Sequence, residues 1–144
     1  MNYDLLVDTN VLIYALNSSA KKHERALRFM QENHLRIVLA QQNILEMQRV
    51  MTHTTFPQPM TSLQAANVSA YLEKTYRVLS PRRSTISIHN QLLQTYMLSG
   101  NRIFDLYLVA TALSHGVSHI ATYNTKDFED IEEISLFDLV EESQ

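Results

Sequence analysis

The stretch from Asp4 to Tyr14 limits the possible folds more than any other part of the chain. An apolar run, Leu5-Leu6-Val7, stops at Asp8, Thr9 and Asn10, and the pattern then turns from strand-like to helix-like with no spacer. A strand that hands over directly to a helix is the opening unit of a parallel α/β sheet. Asp8 then stands at a strand tip. In an open parallel sheet the crevice beyond the carboxyl ends of the strands is walled by loops and helix starts, and ligands bind there.

The same alternation recurs along the chain. Val11 to Leu16 reads as a short helix, and Asn17-Ser18-Ser19 breaks it and can cap an amphipathic helix from Ala20 to Asn33. Ala26, Leu27, Phe29 and Met30 form its buried side. Lys21, Arg25 and Arg28 share another face, which suits a phosphate backbone or simply solvent. Arg36 to Ala40 is a second strand, followed by a helix from Gln41 to Thr52 that carries Glu46. Phe56 to Met60 is a stiff connector, because its prolines cannot continue a helix. Thr61 or Ser62 caps a helix running to about Lys74, with Leu63, Ala66, Ala70 and Leu72 among its apolar positions. Arg77 to Ser80 is a third strand, and Ile86 to Leu98 a helix stopped at Gly100. Asn101 to Leu113 is apolar nearly all round, hence a buried helix, with Asp105 in its first turn. Ser118 to Thr122 is a fourth strand, Tyr123 to Phe128 a turn, and Ile134 to Phe137 a closing strand. The pattern predicts one domain, residues 1–144, folded as a three-layer α/β/α sandwich around a mainly parallel sheet.

Cysteine is absent, which removes disulfides, thiolate nucleophiles and sulfur-ligated zinc together. Carboxylates, histidines, hydroxyls and amides remain, and with them a hard cation held by oxygen. There is neither an apolar run long enough to span a bilayer nor a charged-then-apolar leader at Met1, so a cytoplasmic protein without a membrane partner is expected. The formal charge of −3 is unevenly spread. Residues 1–126 hold all 12 lysines and arginines against seven acids, a net +5, whereas eight acids crowd residues 127–144. The body can therefore face phosphate. Glu129, Asp130, Glu132, Glu133, Glu141 and Glu142 read as a solvated surface.

Asp8 and Asn124 both follow apolar strands, while Glu46 and Asp105 enter from neighbouring helices, so four separate segments can converge on one crevice. Taken alone, Glu46 is an ordinary helical acid paired with Arg49, and Asp105 is an acid favoured by the helix dipole. Three carboxylates brought together repel and raise one another's pKa unless a cation neutralises them, and Mg²⁺ or Mn²⁺ suits oxygen ligands of this kind. His115 and His119, four apart, make a poor metal pair because Gly116 interrupts their spacing.

Four motifs follow one another along the chain: Val7-Asp8-Thr9-Asn10-Val11-Leu12-Ile13, Glu46-x-x-Arg49, Asn101-Arg102-Ile103-Phe104-Asp105 running into Leu108-Val109-Ala110-Thr111-Ala112, and Ala121-Thr122-x-Asn124-x-x-Asp127-Phe128. In this order they resemble the PIN-domain ribonucleases, most nearly the VapC-type toxins of toxin-antitoxin pairs. The resemblance implies that Asp8, Glu46 and Asp105 are an acidic triad holding Mg²⁺ or Mn²⁺ for hydrolysis of RNA, supported by Thr9, Arg49 and Thr122. Asn124 stands where relatives often carry aspartate, and Asp127 can supply the missing charge. Ala40 replaces a hydroxyl residue common before the glutamate helix. The resemblance also implies an antitoxin protein partner and a homodimer, for which Met47, Met51, Phe56 and Met60, with Leu16 and Phe29, are expected to offer apolar surface. Two competing readings are a catalytically silent PIN-like module that binds RNA or protein, and a phosphatase using Asp8 as nucleophile. The second is disfavoured because such enzymes usually place another aspartate where this chain has Asn10.

Overall fold

A computed structural model describes residues 3–139. Within them, β1 (Leu5–Val7), β2 (Ile37–Ala40), β3 (Arg77–Leu79), β4 (His119–Thr122) and β5 (Ser135–Asp138) form one sheet in the order β3-β2-β1-β4-β5. Every neighbouring pair is parallel, so the expected mainly parallel sheet is wholly so. The chain begins at the centre, winds outward through β2 and β3, and returns to the other side of β1 for β4 and β5. That reversal opens a crevice at the tip of β1, where Asp8 follows Val7 and donates its N–H to the Ala121 carbonyl at 2.9 Å.

The helices are α1 (Thr9–Leu16), α2 (His23–Glu32), α3 (Gln41–Met51), α4 (Ser62–Thr75), α5 (Thr85–Tyr96) and α6 (Arg102–Ser114). Successive strand residues point to opposite faces, so the sheet has two cores. Leu5, Val7 and Leu39 pack with Val11, Leu12, Phe29, Met30, Met47 and Met51 on one side. Leu6, Val38, Ala40 and Ile120 pack with Leu92, Leu106, Leu108 and Val109 on the other. Together these are the three layers of an α/β/α sandwich.

Several local expectations are corrected. Asn17 does not cap α2. Its Oδ1 accepts from the Ser19 N–H at 3.1 Å in a turn of its own, and α2 begins at His23 behind Lys22, which has no side-chain capping bond. The helix expected to run to Leu98 ends at Tyr96, because Met97 adopts a left-handed conformation with φ 53° and ψ 43°. Of the apolar positions expected on α4, Leu72 is buried, whereas Leu63, Ala66 and Ala70 are exposed and Ala65 is buried in their place. The cap at Thr61 stands as expected, reciprocated by the Gln64 side chain. The apolar set expected at the surface is core: Met47, Met51 and Phe29 are buried, and Leu16, Phe56 and Met60 pack against the same cluster. Leu45 on α3, with Leu63 and Tyr71 on α4, are the large apolar side chains that these two helices expose. In α6 the first turn exposes Phe104, and burial begins at Leu106. No helix among the described residues is long and apolar enough to cross a membrane. Glu129, Asp130, Glu132 and Glu133 are exposed as expected, whereas Glu141 and Glu142 lie outside the described residues.

Candidate active site

Asp8 caps α1. One carboxylate oxygen accepts from the Thr9 N–H at 2.8 Å and the other from the Thr122 hydroxyl at 2.9 Å. That hydroxyl in turn accepts from the Asn124 N–H at 2.9 Å, so Thr122 locks the tip of β4 to the tip of β1. Burial pushes the Asp8 pKa up to about 6. The bonds from Thr122 and Thr9 oppose that rise, and the charges of Glu46 and Asp127 reinforce it.

Glu46 lies in the second turn of α3 and is held through a relay that local sequence patterns do not reveal. The Thr9 hydroxyl donates to Glu46 Oε1 at 2.7 Å and accepts from Asn43 Nδ2 at 3.0 Å. Asn43 is fully buried, and its Oδ1 accepts from the Ala40 N–H at 2.8 Å. Alanine has no side-chain acceptor, so only the return half of a capping box exists here, and Asn43 satisfies one of the backbone groups left open at the helix start. The legible signal is an amide three residues after Ala40, the last of the run Gln41-Gln42-Asn43 that opens the helix. Asn43 thus bridges the helix start and the Thr9–Glu46 bond.

Asp105 is brought to the same crevice by the first turn of α6. Gln42 ties that turn to α3 by donating Nε2 to the Phe104 carbonyl at 2.8 Å. Burial raises the Asp105 pKa to about 7, reinforced by Asp127, then Asp8, then Glu46, and opposed by Arg102. Burial therefore exceeds mutual repulsion at both aspartates, whereas the sequence reading placed repulsion first. Asp127, on a 3₁₀ turn at Thr125–Asp127, is the strongest of the three carboxylate charges acting on Asp105. Its carboxylate accepts from Asn124 Nδ2 at 2.7 Å, and its carbonyl accepts from Arg102 at 3.1 Å.

The structure thus puts Asp8, Glu46 and Asp127 within electrostatic reach of Asp105, with Thr9 bonded to Asp8 and Glu46 and Thr122 bonded to Asp8. Asn124 is exposed and turned onto Asp127. Arg49 is exposed, lines a shallow pocket with His53, Phe56 and Pro57, and forms no ion pair with Glu46 among the described residues. The histidines do not pair: His115 bonds the Ser80 carbonyl at 2.7 Å, and His119 stacks on Tyr3 at 3.7 Å between ring centres.

Four carboxylates opposed by one nearby arginine are an oxygen-rich, anionic donor set, and burial, reinforced by their mutual repulsion, raises the pKa of two of them. That chemistry fits a hard divalent cation. No three His, Asp or Glu side chains among the described residues already form a ligand set. Mg²⁺ needs only one or two carboxylates, with waters and substrate phosphate completing its shell.

The PIN domain family matches residues 5–134 of the chain. Ribonuclease VapC24 of Mycobacterium tuberculosis is 27% identical over 130 residues, covering 88% of this chain and 90% of that protein. Among solved structures, DNA-bound VapBC from Salmonella typhimurium superposes with a TM-score of 0.70 at 19% identity, covering 95% of this chain and 98% of that one. FitAcB from Neisseria gonorrhoeae gives 0.68 at 20% identity, covering 94% and 98%.

Proposed function

Because this chain belongs to the PIN-domain family, we propose that it is a divalent-metal-dependent ribonuclease that hydrolyses RNA phosphodiester bonds as the toxin of a toxin-antitoxin pair. The observation that carries the reading is the gathering of Asp8, Glu46, Asp105 and Asp127 at the strand tips, with two of them held at raised pKa. Resemblance to VapC24 and to the VapBC complexes supports the ribonuclease and the antitoxin partner.

Asp8, Glu46 and Asp105 would hold Mg²⁺ or Mn²⁺, with Asp127 adding charge and Asn124 an amide at the rim. When bound, such an ion supplies positive charge at the scissile phosphate and a more acidic attacking water. The chain's own contribution is orientation. Thr122 and Thr9 fix Asp8, and the Asn43–Thr9 relay fixes Glu46, so the carboxylates need little rearrangement when charge develops on the phosphate.

The test is cleavage of end-labelled single-stranded RNA by the purified chain in Mg²⁺, in Mn²⁺ and in EDTA. Cleavage that needs either ion supports the proposal. A folded protein that binds RNA but leaves it intact under all three conditions would point to the silent binding module instead. Co-purification with the product of a neighbouring gene, and light scattering on the isolated chain, test the antitoxin and homodimer.

A further inference from the structure

An acidic cluster repels the polyanion it is to cut, so the strand must be held by positive charge beside the cluster. We propose that Lys22, held against the rings of Tyr14 and Tyr123, is the arm that grips a backbone phosphate of single-stranded RNA, with Arg25 as its second charge. The inference deepens the ribonuclease reading and rests on it.

Lys22 Nζ lies 4.8 Å from the centre of the Tyr123 ring and 5.3 Å from that of Tyr14. The two rings meet edge to face at 5.4 Å and 83°. Both are built on the elements that make the site. Tyr123 sits between Thr122, which bonds Asp8, and Asn124, which bonds Asp127. Tyr14 is on α1, whose first residue, Thr9, bonds Glu46. His23 bonds the Tyr14 carbonyl at 3.0 Å and pins the start of α2 to this place.

The rings hold the ammonium by attraction to their faces, which fixes a long, flexible side chain without cancelling its charge. Among the described residues Lys22 has no carboxylate partner, and the ion pair found joins Arg77 and Asp4. Arg25 stands three residues on and acts electrostatically on the Tyr123 hydroxyl. Lys21, Lys22, Arg25 and Arg28 are all exposed, with Glu24 the single acid among residues 21–28. Charge complementarity and continuity with the cluster select phosphate as the occupant. They also single out Lys22, which a face-sharing pattern of Lys21, Arg25 and Arg28 leaves out.

Fluorescence anisotropy of a short labelled single-stranded RNA tests this in an Asp8→Asn background, where the strand is not cut. Lys22→Gln with Arg25→Gln should weaken binding by about tenfold and lower the slope of log affinity against log salt by about 0.7 for each charge removed. Lys22→Arg should bind like the parent, and so should Lys74→Gln, an exposed lysine on α4. In the cleaving protein the double substitution should raise the half-saturating RNA concentration and leave the saturated single-turnover rate unchanged. If the salt slope and affinity of the double variant match the parent, or if the parent binds no RNA, the arm is refuted. If the parent never cleaves but the double variant still loses salt-dependent RNA binding, the reaction assignment fails and the arm stands.

Discussion

Asp8→Asn should stabilise the metal-free protein at neutral pH. The folded-state pKa of Asp8 is about 6 against an ordinary 3.8, so the folded chain holds a proton that the unfolded chain releases. For an acid shifted in this direction, stability is intact below pH 3.8 and is lost as pH rises through about 6. At about pH 7.5 the loss is complete, and at about 1.4 kcal/mol per tenfold it amounts to about 3 kcal/mol. Asparagine removes that penalty but disturbs one bond. Its oxygen can still accept from the Thr9 N–H at 2.8 Å, while its amide group replaces the oxygen to which the Thr122 hydroxyl donates at 2.9 Å. Rearranging that bond costs about 1 kcal/mol, so the net gain is about 1–2 kcal/mol, or a Tm rise of about 3–10 °C for a chain of this size. Circular-dichroism melts in EDTA at about pH 7.5 and about pH 4 should show the gain at the higher pH and none at the lower. Added Mn²⁺ should narrow the gap, since it stabilises the parent by binding the folded state. An asparagine variant that melts below the parent at about pH 7.5, or differs by the same amount at both pH values, refutes the reasoning.

Other outcomes follow from the same geometry. Apparent Mn²⁺ affinity should climb with pH through about 7, as the cation competes with the Asp105 proton, and a calorimetric affinity that is flat across that range would contradict this. Asn124→Asp puts a second carboxylate where an amide now donates to Asp127 at 2.7 Å; it should lower Tm in EDTA and tighten Mn²⁺ binding, and unchanged binding would place Asn124 outside the ion's shell. Asn43→Ala removes the bonds to Ala40 and Thr9 at a fully buried position and should cost about 2–3 kcal/mol in urea unfolding. A loss below about 0.5 kcal/mol would mean that the relay carries little.

The sheet was legible because its central strands are buried on both faces and read as unbroken apolar runs, Leu5-Leu6-Val7 and Ile37-Val38-Leu39-Ala40. Helix ends were less so. Nothing in the local pattern says that Asn17 will bond its own turn, or that Met97, which carries a Cβ, will take the left-handed conformation that glycine adopts more readily. Periodicity shows which side chains share a face, not what that face meets, so Met47 and Met51 were read as surface and are core. The triad came from resemblance, since no single acid is distinctive by itself. Asp127 lies three residues beyond the position where relatives often carry aspartate, and the 3₁₀ turn at Thr125–Asp127 is what lets its charge act on Asp105. Asn43 escaped because its partner Thr9 is 34 residues away in sequence.

The central claim is that the acids at the strand tips are where RNA is cut. Single-turnover cleavage of one RNA by the parent, Asp8→Asn, Glu46→Gln and Asp105→Asn, each with Mn²⁺ and each shown to be folded by its melt, tests it most directly. The account predicts that each substitution reduces the rate to that of the parent in EDTA. Three folded variants that still cleave at the parent's rate would contradict it.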